Sequence, residues 1–169
     1  VEYAMDMAIA DFPKPYICLI DGIVMGGGLG ISVNGRYRLM SEHIMAAMPE
    51  TGIGLLPDVG ATAFLTACPG RIGLYLGLTG ARLDCADAIH AGIGTHFVAR
   101  DRQPALLDAL IAAEYGADGF AVVDGILDRF AADPGASKLR DRQPEIDRLF
   151  ASDDVGKIIE TLESDGSDL

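Results

Sequence analysis

Gly26, Gly27 and Gly28 stand in a row behind an apolar stretch, and two loop carboxylates, Glu50 and Asp58, follow them along the chain. Three consecutive glycines where a strand hands over to a helix let the backbone approach a ligand closely. They also leave unpaired N–H groups aimed at it. That is half of an oxyanion hole, although a glycine run also fits a tight turn that only packs closely. Gly26, Gly28 and Gly30 lack the later glycine of a dinucleotide fingerprint, and no Gly-Lys-Ser/Thr follows for a phosphate loop. Glu50 lies between Ala46–Met48 and Ile53–Leu56, so its carboxylate is expected beside a dry surface that raises its pKa and fits it to act as base or nucleophile. Asp58 is a second carboxylate with apolar neighbours, and two carboxylates in different environments can divide acid and base roles; each also fits a solvated loop residue.

The remaining reactive side chains promise less. His43 falls in a polar turn beside Glu42, His90 in a short helix, and His96 in an apolar strand where a hydrogen-bonded structural role is expected. Neither a Gly-x-Ser-x-Gly elbow nor His-x-x-x-His spacing is present, and no metal is expected. Cys18, Cys68 and Cys85 are odd in number and far apart, which suits buried thiols in a reducing compartment rather than disulfides or a zinc site.

The elements that position these residues can be read from the apolar pattern. Val1, Met5, Ala8 and Phe12 share one helical face, ended by Pro13 and Pro15. Tyr16 to Ile20 reads as a buried strand, Asp21-Gly22 as a turn, and the glycine triplet as the opening of a helix that ends near Asn34-Gly35. Tyr37 to Met40 and Ile44 to Met48 are extended, and Pro49-Glu50-Thr51 enters a loop closed by Leu56-Pro57-Asp58-Val59-Gly60. Two short helical pieces follow up to Gly80, then a helix over Cys85 to Ala91 capped by Asp84, and a strand over Thr95 to Val98. Beyond that the pattern is helical, through Leu106, Leu110 and Ala113, then Phe120, Val123, Leu127 and Phe130, then Val155, Ile158, Ile159 and Leu162. Asp133-Pro134-Gly135 is the clearest linker. Residues 1–100 therefore read as part of an α/β core and 101–169 as a helical segment.

At 169 residues, half of them hydrophobic, the chain has the balance of one ordinary globular unit. A formal charge of -12, with scattered basic residues, sets nucleic acid and anionic membranes aside as partners. The apolar stretch from Pro15 to Val33 is broken by Asp21 and by glycines, so it reads as strand, turn and helix and not as a membrane span. No charged-then-apolar leader precedes the globular pattern.

Taken as one string, Met25-Gly26-Gly27-Gly28-Leu29-Gly30, then Ala47-Met48-Pro49-Glu50-Thr51, then Ile53 to Gly60, resembles the core of the crotonase superfamily. Leu78-Thr79-Gly80, Ala86, Ala88 and Ala91-Gly92 continue the likeness. The resemblance implies an α/β fold with a ββα spiral core followed by helical segments. It also implies an acyl-CoA thioester as substrate, with coenzyme A as part of the substrate and no separate cofactor. It places one oxyanion N–H on Gly27, chemistry at the acyl carbon on Glu50, and substrate contacts on Met25, Gly26, Gly28 and Pro49.

A hydratase of this superfamily would carry a second glutamate two residues after the triplet, where this chain has Gly30, and hydration then lacks one of its two groups. The Met48-Pro49-Glu50-Thr51 loop, the Pro57-Asp58-Val59-Gly60 turn and Gly92 to Val98 look instead like the subfamily that hydrolyses 3-hydroxyisobutyryl-CoA in valine breakdown, in which Glu50 and Asp58 would both be catalytic. Glu50 would either attack the thioester or activate water. A hydratase or isomerase, and an acyl-CoA-binding subunit without turnover, remain the alternatives. The resemblance further implies a homo-oligomer, in the cytoplasm or, in a eukaryote, the mitochondrial matrix. It places Val1 inside the family's chain, so an internal piece is expected, with the second oxyanion donor upstream.

Overall fold

The computed structural model describes residues 2–166, and for Glu2 its backbone only. Helix α1 (Glu2–Ala10) is followed by strands β1 (Ile17–Ile20) and β2 (Ile23–Met25), helix α2 (Gly27–Val33), and strands β3 (Tyr37–Met40) and β4 (Met45–Ala47). A 3-10 turn (Glu50–Ile53), α3 (Ala61–Phe64), α4 (Ile72–Thr79), α5 (Cys85–His90) and β5 (His96–Phe97) come next. Four helices finish the chain: α6 (Gln103–Ala112), α7 (Gly119–Phe130), α8 (Lys138–Leu149) and α9 (Val155–Asp165).

The repeating unit is two strands and a helix. β1 pairs with β3, and β3 with β5, while β2 pairs with β4, all in parallel. Parallel partners need a crossover, and α2 supplies it between the first strand pair and the second. Gly22 makes the bend from β1 to β2 at φ +86, a conformation that a side chain resists. This is the α/β, ββα-spiral core that the family resemblance implies.

Two clusters of buried side chains hold the unit together. Leu29, Met40, Met48, Ile72 and Leu76 meet Ile146, Leu149 and Phe150 of the α8 region in one. Tyr37 and Leu39 meet Leu106, Leu110, Val123 and Leu127 of α6 and α7 in the other. The helices after residue 100 thus cover two different cores instead of forming one layer.

One local expectation differs from the structure, and one helix carries little signal of its own. In α1 and just after it the apolar residues face outward, with Met5 and Phe12 about half exposed, whereas Asp6 is buried; Val1 of the same expected face lies outside the described residues. Helix α8 carries seven charged residues in twelve and a proline at its seventh position, and buries only Leu139, Ile146 and Leu149. So narrow a stripe escapes the eye in the sequence.

Candidate active site

The strand register explains how residues far apart in sequence converge. Met25 pairs with Ala47, so β2 and β4 end side by side, and the glycine triplet leaves one strand where Met48-Pro49-Glu50 leaves the other. The carboxyl ends of parallel strands are where α/β sheets gather ligand-binding groups. A β-carbon on Gly26 would stand 3.2 Å from Glu50 Oε1, which places the glutamate directly over the turn. Gly26 itself takes φ 49, ψ -121, and starts α2. Gly27 and Gly28 occupy the first positions of that helix, where N–H groups have no intrahelical acceptor.

Glu50 is half-buried, and its Oε2 is buried without a hydrogen-bond partner. Of its two apolar flanks only the upstream one is dry. Ala46, Ala47 and Met48 are buried, whereas Ile53, Leu55 and Leu56 are among the most exposed apolar residues. The loop is anchored by Thr51, whose hydroxyl donates to the Leu78 carbonyl, and by Gly80, which packs against Pro49. Pro49 is exposed, and Met25 is half-buried at the end of β2.

Asp58 differs from Glu50 in having a partner, since Tyr3 Oη donates to its Oδ2 at 2.9 Å. The turn that presents Asp58 is strained: Val59 has φ +46 and Gly60 φ +87, and a non-glycine residue in such a conformation costs about 1–3 kcal/mol. Val59 is buried, and it fits because Gly30 has no side chain; a β-carbon there would lie 2.7 Å from Val59 Cβ and 3.3 Å from Asp6 Oδ1. Gly30 is therefore a packing requirement of the Asp58 turn. Tyr3 and Asp6, one turn apart on α1, join the site, and nothing in their spacing to Glu50 or Asp58 signals it, because only the packing of α1 on α2 brings them there.

An open apolar cavity of about 680 Å³ borders the outer side of the same loop, lined by Thr51, Leu55, Leu56, Pro57, Leu65 and Leu74 among others. None of Gly26, Gly27, Glu50 and Asp58 lines it, so it is not where the glycine turn and the carboxylates meet.

The histidines are tied to other groups. His43 Nδ1 lies 3.3 Å from Asp21 Oδ1, His90 lies between Gln143 and Arg140, and His96 contacts Thr95 Oγ1. Burial pushes the pKa of His96 below its ordinary value. Among the described residues no three His, Cys, Asp or Glu side chains gather as metal ligands, and no helix is long and apolar enough to cross a membrane.

A sequence profile of the enoyl-CoA hydratase/isomerase family matches residues 1–169. The chain belongs to this family. A curated family relative, the mitochondrial 3-hydroxyisobutyryl-CoA hydrolase of Xenopus tropicalis, is 46% identical over 98% of this chain and 44% of its own length. The crystal structure of a carnitinyl-CoA dehydratase from Mycobacterium thermoresistibile superposes with a TM-score of 0.87 at 40% identity, covering 99% of this chain and 47% of that one. An enoyl-CoA hydratase from Rhodobacter sphaeroides 2.4.1 gives 0.84 at 40% identity, covering 99% and 45%. The chain thus spans just under half the length of these family members.

Proposed function

We propose that the protein carrying this chain hydrolyses a 3-hydroxyacyl-CoA thioester, with 3-hydroxyisobutyryl-CoA of valine breakdown as the leading substrate. The observation that carries this reading is the Glu50 carboxylate poised on the glycine turn with Oε2 unpartnered, in a chain 46% identical to a protein named for that hydrolysis. Gly27 N–H donates to the thioester oxygen and meets the charge that develops there with a fixed dipole. Glu50 attacks the acyl carbon, the C–S bond breaks, and coenzyme A leaves as a thiolate that takes up a proton. Water then adds to the resulting anhydride, releasing the acid and restoring the carboxylate. Asp58, held by Tyr3, orients that water and takes its proton. Met25, Gly26, Gly28 and Pro49 border the acyl group. Compartment and assembly follow the same reading: the cytoplasm or, in a eukaryote, the mitochondrial matrix, as a homo-oligomer.

Hydration of an enoyl-CoA is the second reading. The names of the two structural neighbours support it, as does the Asp6 carboxylate in the space beside Gly30. One panel separates the two. The full-length protein should release free thiol from 3-hydroxyisobutyryl-CoA much faster than it hydrates any 2-enoyl-CoA. Fast hydration without thiol release would replace the hydrolase by a hydratase.

A further inference from the structure

Asp6 has no part in that scheme, yet it is 5% exposed and both its carboxylate oxygens are buried without a hydrogen-bond partner. Buried polar groups are nearly always hydrogen-bonded, so an orphan of this kind calls for a donor that arrives from elsewhere. Asp6 follows Tyr3 by one turn of α1, and Tyr3 holds Asp58. Its Oδ1 lies 3.3 Å from the point where a β-carbon on Gly30 would stand. Gly30 in turn is one turn along α2 from Gly26, its N–H donating to the Gly26 carbonyl at 3.1 Å. Two carboxylates therefore overlook α2, Glu50 at its first turn and Asp6 about one helical pitch, roughly 5.4 Å, further on.

We propose that Asp6 is a specificity residue whose carboxylate accepts a hydrogen bond from a hydroxyl on the acyl chain, so that the site selects hydroxyacyl over plain acyl thioesters. The proposal rests on the thioester reading above. An ionised carboxylate only accepts, and a hydroxyl near the third acyl carbon is a donor within reach when the carbonyl sits at Gly27. In that scheme Glu50 is committed to the carbonyl carbon, and Asp58, held by Tyr3 through Oδ2, to the water. A plain acyl chain leaves Asp6 buried and unpaired, and sites built around a polar partner reject analogues that lack it.

The test compares 3-hydroxyisobutyryl-CoA with isobutyryl-CoA in the full-length protein. Thiol release gives the ratio of the two kcat/KM values, and calorimetric Kd values in a Glu50→Gln background give the same preference independently of turnover. In Asp6→Ala both ratios should fall about tenfold or more. Asp6→Asn keeps a carbonyl acceptor and nearly the same shape; it should lower them at least threefold, and it carries the comparison if the alanine variant does not fold. Ratios that stay within threefold in a folded variant, whatever the individual rates do, would make Asp6 a packing residue and overturn the proposal. A wild-type protein that binds both esters but releases no thiol would remove the hydrolase reading, and the Kd preference would still decide the role of Asp6.

Discussion

Glu50 Oε1 stands 3.2 Å from the place that a β-carbon on Gly26 would take, although 24 positions separate the two residues in sequence. The parallel pairing of β2 with β4 makes this contact, so a side chain at position 26 would meet the Glu50 carboxylate at a backbone φ of +49. Gly26→Ala would force alanine to φ 49, ψ -121, a strain of about 1–3 kcal/mol, and would press on the carboxylate. We expect a lower melting temperature and a loss of roughly 100-fold in thiol release, the scale that a small misplacement of a reacting group produces. A folded variant with the full rate would show that Glu50 does not depend on the turn.

Tyr3→Phe removes the hydrogen bond to Asp58 and keeps the ring. Tyr3 is exposed, so stability should change by less than about 1 kcal/mol. If the bond holds Asp58 toward the reacting water, losing about 1 kcal/mol of orientation lowers kcat roughly fivefold with KM nearly unchanged. Thermal melts beside steady-state kinetics check this, and an unaltered kcat would leave Tyr3 without influence on Asp58.

The first strand, the glycine helix and the Asp84 cap were legible in the sequence because each has a local cause: an apolar run, a turn dipeptide, a side chain that bonds Asp87 N. Strand β2 was not, since Ile23 to Met25 merges with the glycine turn that follows. The candidate residues Gly27, Glu50 and Asp58 carried a recognisable spacing. Tyr3 and Asp6 carried none, because their place depends on α1 turning its polar side inward, against the direction its apolar residues suggest. Gly30 was legible as a missing glutamate, but its reason, room for the strained Val59, appears only in three dimensions.

The thiols give a test of the cores. Burial pushes the Cys68 and Cys85 thiols up to about 11 from an ordinary 9.0, so the fold favours their protonated forms. Their contribution to stability is fully present below pH 9.0 and is lost as the pH rises through about 11. Denaturation midpoints should hold steady up to pH 9 and then decline. At pH 8 a thiol reagent should reach half-buried Cys18 first, and Cys68 and Cys85 only on unfolding. Equal labelling of all three in the native protein would contradict the burial of Cys68 and Cys85 in the cluster that holds Leu29, Met40 and Phe150.

Glu50→Gln in the full-length protein tests the central claim most directly. The amide keeps the size and the contact with Gly26, but it is neither a base nor a useful nucleophile. Thiol release from 3-hydroxyisobutyryl-CoA should be abolished while the Kd for the ester stays within a few-fold, because the N–H of Gly27 and the acyl contacts remain. A variant that kept more than about a tenth of the wild-type rate would take Glu50 out of the chemistry and contradict the account.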